Sequence, residues 1–170
     1  MDPHTERVAE GLKKAMQAEI EGQHFYQMAA RSTPDARGRE VFETLAREEL
    51  DHFNFLKAQH QSLVEPGRID ARAKLGEQLQ LDGPHPIFSE EIRKRIGSAH
   101  YEMTALSIGI QLELSAVNFY RAEAEAARDP QVKAFHERLA AWEKGHLSAL
   151  QAQSEALKED YWHESGFAPF

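Results

Sequence analysis

The sequence predicts an all-α protein, a four-helix bundle whose second and third helices are joined by a long crossover. Three observations carry that prediction. Apolar residues recur at helical spacing over four long stretches. No alternating, strand-like period competes with them anywhere in the chain. The two halves of the chain also repeat one another at a fixed offset of 94 residues.

The first stretch, 5–32, places Leu12, Ala15, Met16, Glu19, Gly22, Gln23, Tyr26 and Ala30 within about 60° of one line at helical rotation. Ser32, Thr33 and Pro34 end it, and Asp35 can cap the next helix. That second helix runs to about Leu63, with Phe42, Leu45, Ala46, Glu49, His52, Phe53 and Leu56 on its stripe, until Pro66 and Gly67 break the pattern. The crossover, 63–98, reads as a short helix near 69–80, a loop at 82–86, and a helix start at Ser89 ahead of Glu90 and Glu91. The third long helix, 99–127, carries Leu106, Gly109, Ile110, Glu113, Val117, Tyr120 and Ala124 on one face. Asp129 and Pro130 cap and open the fourth, which runs to about 158 with Leu139, Glu143, His146 and Leu150 facing one way.

Helices of this length reach roughly 40 Å. A connection as long as 63–98 can travel the full bundle, so the second and third helices are expected to run parallel. The hairpins are then 5–62 and 99–158, in a single domain over residues 1–160, with an aromatic tail at 161–170 expected to dock on the body or on a neighbouring subunit.

Composition narrows the function. The 170 residues hold no Cys, which excludes a disulfide scaffold, a Cys-ligated zinc or iron–sulfur site and a thiol nucleophile. Net charge is −8, and the first 14 residues carry only Arg7, Lys13 and Lys14 as basic residues, so a nucleic-acid partner is not expected. No apolar run is long enough for a membrane span. The opening residues lack a secretory pattern, and the expected location is cytoplasmic. Nine His in an acidic chain leave oxygen and nitrogen ligands as the available metal chemistry.

The repeat organises that chemistry. Glu19, Tyr26, Glu49 and His52 recur 94 residues later as Glu113, Tyr120, Glu143 and His146. Composition alone gives about one Glu-x-x-His pair by chance. The chain has three, at Glu21/His24, Glu49/His52 and Glu143/His146. The first is the accident: its counterparts are Ser115 and Asn118, and it lies on the wet side of its helix. The other two pairs, with Glu19 and Glu113, lie inside apolar stripes that carry no Lys or Arg nearby. A buried carboxylate must be neutralised, paired or metal-bound. Residues i and i+3 on a helix lie close enough to share one ion, so four carboxylates and two imidazoles make a ligand set for two metals.

The segments A18-E-I-E-G-Q-H-F-Y26 and L112-E-L-S-A-V-N-F-Y120, with E49-L-D-H52 and E143-K-G-H146, resemble the rubrerythrins, members of the ferritin-like di-iron carboxylate superfamily. The resemblance covers both hairpins and leaves out the crossover and the tail. It implies a ferritin-like bundle holding two iron ions, with Glu19 and Glu113 as terminal ligands, Glu49 and Glu143 bridging, and His52 and His146 binding one metal each. Zinc or manganese suits the same ligands. The implied activity is oxidation–reduction with peroxide or O₂, drawing electrons from a separate donor protein or from Fe(II), in a homodimer. The alternative is a non-catalytic iron-binding, storage or sequestering protein. Two features depart from the family. A Cys-free chain has no rubredoxin module, and the extra third-helix Glu of rubrerythrins is absent, with Ile110 and Ala116 flanking Glu113.

Tyr26 and Tyr120 lie about 10 Å along their helices from Glu19 and Glu113 on the same faces. They are candidates to hydrogen-bond the ligand carboxylates or to relay an electron; the alternative is a core tyrosine with a satisfied hydroxyl. His136 and His60 read as satisfied core residues. The remaining His read as surface or loop, and Met16 and Met28 as core.

Overall fold

The computed structural model describes residues 3–65, 67–70, 73–76, 78–81 and 83–166. Among them the elements are α1 (Pro3–Ser32), α2 (Ala36–Val64), a short α3 (Glu90–Lys94), a 3₁₀ turn (Ile96–Ser98), α4 (His100–Ala126) and α5 (Pro130–Glu164), with no strand. No described helix is long and apolar enough to cross a membrane. The expected helix starts are visible as caps. The Asp35 carboxylate accepts from the Gly38 N–H at 2.7 Å, and Asp129 accepts from the Gln131 N–H at 2.8 Å, one residue beyond Pro130. Each such cap contributes about 1 kcal/mol.

Two apolar blocks lie at opposite ends of the bundle, with a polar layer between them. One holds Phe42, Leu45, Leu106 and Leu150. The other holds Leu12, Leu56, Tyr120 and Leu139. Read along the chain, α2 and α4 both pass from the first block to the second, while α1 and α5 pass the opposite way. Helices α2 and α4 are therefore parallel, as the length of the crossover predicts.

The crossover runs back along α2 and α5, tied by side chains that were not singled out in the sequence. Gln59 on α2 accepts from the Asp70 N–H at 2.9 Å and donates to its carbonyl at 3.1 Å. Its partner in the repeat, Gln153 on α5, accepts from the Ile87 and Phe88 N–H groups at 2.9 and 3.0 Å. Both glutamines are fully buried. Between these anchors Glu48 accepts from the Leu79 N–H, and the Gln78 amide donates to the Trp142 carbonyl at 2.8 Å. Two glycines make room for the strap. A Cβ on Gly145 would stand 2.3 Å from Gln78, and one on Gly38 would stand 2.5 Å from the Phe88 ring.

Replacing Gln153 with Ala would leave two buried N–H groups without an acceptor. The expected loss is about 2–3 kcal/mol of stability, measured by denaturant unfolding; a loss below about 0.5 kcal/mol, the range of ordinary surface changes, would show that the clamp is incidental.

Four expectations need correction. The short helix near 69–80 does not form among the described residues there. Buried Gln59 and Glu48 capture its backbone groups, while Leu75 and Leu79 pack against the two core blocks, so the segment gains more by lying along the bundle than by coiling. Helix α5 continues to Glu164, past the expected end at 158, so Tyr161 and Trp162 are helical. Leu157 in the core and a two-pronged Arg93–Asp160 ion pair, at 2.8 and 3.0 Å, hold that last stretch. Met28 is 54% exposed and belongs to no core. Neither His136 nor His60 is the satisfied core residue expected: among the described residues His136 is buried with both ring nitrogens unpartnered, and His60 is only half-buried, with its Nε2 unpartnered. Pro66, Asp82 and residues 167–170 of the tail lie outside the described residues.

Candidate metal centre

The polar layer is built at one level of all four long helices. Glu19 on α1, Glu49 and His52 on α2, Glu113 on α4, and Glu143 and His146 on α5 are each at most 4% exposed. All six predicted ligands meet. Their donor atoms form two overlapping sets, Glu19/Glu49/His52/Glu143 and Glu49/Glu113/Glu143/His146, each with its atoms within 4.8 Å of one another. Glu49 and Glu143 belong to both. Glu21 and His24, the chance pair, are exposed as expected.

Both imidazoles turn Nδ1 inward. His52 Nδ1 lies 2.9 Å from Glu143 and 3.5 Å from Glu19. His146 Nδ1 lies 3.3 Å from Glu143 and 3.6 Å from Glu49. These approaches lack hydrogen-bond geometry: both Nδ1 atoms, both Glu143 oxygens and one Glu49 oxygen are buried without a hydrogen-bond partner. Donors that crowd together without bonding one another point their lone pairs at common space between them. The residues therefore fit a pair of cations, and the mixed oxygen and nitrogen set suits divalent transition metals.

Without cations the layer is electrostatically frustrated. Burial, then repulsion from Glu113, Glu143 and Glu19, holds the Glu49 carboxyl well above its usual range. Burial pushes Glu113 up to about 7. Burial disfavours charge on His52, but the Glu143 carboxylate outweighs it and pushes the imidazole up to about 10. His146 is likewise raised, with burial overcome by Glu113, Glu143 and Glu48. Burial also opposes the Glu143 charge, yet the two imidazoles hold that carboxyl below its ordinary value.

The tyrosines pair crosswise. The Tyr26 hydroxyl on α1 donates to Glu113 on α4, and the Tyr120 hydroxyl on α4 donates to Glu19 on α1. Burial, then the neighbouring carboxylate, raises both phenols well above their ordinary value. They act as neutral donors that orient the Glu113 and Glu19 carboxylates. Replacing both with Phe is expected to keep the fold and lower metal affinity roughly 10- to 100-fold, read by competition with a chelating dye. Unchanged affinity would show that the phenols serve packing alone.

His136 stacks on Tyr120 at 6.1 Å but does not reach the six donors. Burial, with the Arg7 charge, lowers it to about 4. Glu48, not singled out in the sequence, lies 2.6 Å from His146 Nε2 and is 5% exposed. Its one sequence signal is its place next to Glu49.

A cavity of about 310 Å³ opens between α1 and α4 onto Glu19, Glu49 and Glu113, with Ala15, Ala18, Leu112, Ala116 and Phe119 on its walls. Ala116, one of the two residues flanking the position of Glu113, adds apolar wall to this cavity.

Comparison with known proteins agrees with this geometry. Among solved structures, a hypothetical protein from Pyrococcus furiosus is similar, with 27% identity over 89% of this chain and 90% of its own, at a TM-score of 0.55. No curated protein gives a significant match. The rubrerythrin family profile matches residues 10–106, which include Glu19, Glu49 and His52. The chain, a helical bundle with a buried carboxylate–imidazole layer fit for a metal pair, belongs to the rubrerythrin family.

Proposed function

We propose that the protein is a di-iron carboxylate oxidoreductase that reduces peroxide or O₂. The observation that supports this most is the overlap of two four-donor sets through Glu49 and Glu143. Two ions held by shared carboxylates are neighbours, and a bound ferrous pair would supply the two electrons that peroxide takes up. Glu49 and Glu143 would be shared by the two ions, His52 and His146 would each give one position a neutral donor, and Tyr26 and Tyr120 donate to Glu113 and Glu19. The cavity between α1 and α4 gives a small oxidant a route to Glu19, Glu49 and Glu113. Its walls are largely apolar, with Lys14, Glu21 and Ser115 also lining it.

Electrons are proposed to come from a separate donor protein or from free Fe(II), since these 170 residues hold no Cys to ligate an iron–sulfur centre. The reading is tested by loading the metal-free chain anaerobically with Fe(II) and titrating with H₂O₂. The expected end point is one peroxide per two irons, reached faster than with free Fe(II). Iron that stays bound but is oxidised no faster than in solution would leave a sequestering role instead.

A further inference from the structure

The two halves of the layer differ behind the imidazoles. Each ring turns Nδ1 to the carboxylates and Nε2 away from them. His146 Nε2 meets Glu48 at 2.6 Å. Glu48 is itself tied down, because it also accepts the Leu79 N–H of the crossover. A carboxylate at that place keeps the ring proton on Nε2, leaves the Nδ1 lone pair free for a cation, and raises its basicity.

The residue 94 positions on from Glu48 is not an acid but Trp142. Its ring stands nearly perpendicular to His52, with centroids 5.3 Å apart and planes at 82°. Among the described residues neither His52 Nε2 nor Trp142 Nε1 has a hydrogen-bond partner. Among the described residues no side chain hydrogen-bonds the Nε2 side of His52, where Trp142 packs instead.

We infer that the two metal positions bind with unequal strength. The Glu113/His146 position, where Glu48 acts as a positioning residue, fills first; the Glu19/His52 position, backed by Trp142, fills second. The inference rests on the metal-binding reading above. An outer hydrogen bond to a ligating imidazole is worth roughly 10- to 100-fold in metal affinity, and the gap between the positions is expected to be of that order.

The test uses zinc, which binds without redox chemistry, on the metal-free full chain. Calorimetric titration is expected to resolve two steps separated by about 10- to 100-fold. Crystals grown with one equivalent of zinc are expected to show anomalous signal concentrated between Glu113 and His146. Glu48→Gln should weaken the first step about 10-fold or more and leave the second nearly unchanged. Trp142→Glu should tighten the second step alone. Equal occupancy at one equivalent, or a Glu48→Gln variant in which both steps weaken alike, as a merely structural role would produce, overturns the inference. A wild-type chain that binds no zinc at either position overturns the metal-binding reading itself.

Discussion

Replacing Glu143 with Gln is expected to bring metal content from two ions per chain to less than one, whereas Glu19→Gln removes only the ion at its own position. Glu143 is fully buried and belongs to both donor sets, and neither of its oxygens has a hydrogen-bond partner. Glu19 belongs to one set only. The metal-free variant should also be less stable. In the metal-free chain the Glu143 carboxylate offsets the charge on His52 and His146, and removing one partner of a buried charge cluster costs about 3–5 kcal/mol. Metal analysis after desalting and denaturant unfolding of the metal-free form check the two parts. A Glu143→Gln chain that retains two ions would exclude the bridging role.

The second large effect is a reversal of pH dependence on metal loading. In the metal-free fold Glu49 and Glu113 are held above their ordinary 4.5, Glu113 at about 7, by burial. The raised carboxyls contribute a penalty that grows as pH rises from 4.5 to about 7. His52 sits at about 10 against an ordinary 6.5, so its contribution is full below 6.5 and lost as pH rises through 10. His146 shifts the same way. All four groups bind more protons folded than unfolded, so metal-free stability falls as pH rises across this window.

Glu143, held below its ordinary value, works the other way and matters only in acid, where its contribution is lost as pH falls below 4.5. Cations displace those protons, so metal affinity should rise with pH over the same window. At 100 times the dissociation constant, metal adds about 2.7 kcal/mol, which raises Tm by roughly 5–10 °C in a domain of this size. Thermal unfolding with and without metal at several pH values tests this. Parallel, flat profiles would show that the layer stays neutral without metal.

The fixed offset made much of this centre legible in the sequence. Glu19, Glu49, His52 and their mates needed only helical spacing and a common interval of 94 residues to be placed together. The two tyrosines came with them, although spacing could not show that each would reach across to the opposite hairpin's carboxylate. Gln59 and Gln153 carry the same offset, but a glutamine at a helix end looks like any solvated residue until a strap of backbone covers it. Glu48 was hidden for a related reason. It sits one residue from a ligand, so helical rotation turns it about 100° away from the stripe, and it is the crossover and His146 of α5 together that bury that side of α2.

The structure of 69–80 was not legible because its partners lie far along the chain, and a local pattern cannot register that competition. The last turns of α5 depend in the same way on Arg93, which no periodicity connects to Asp160.

The paired metal centre is tested most directly by iron-edge anomalous diffraction from crystals loaded anaerobically with Fe(II). Two peaks about 3.5–4 Å apart, both touched by Glu49 and Glu143, with His52 on one and His146 on the other, are expected. A single peak, or a layer closed by direct Glu–His hydrogen bonds with no iron bound, would contradict it.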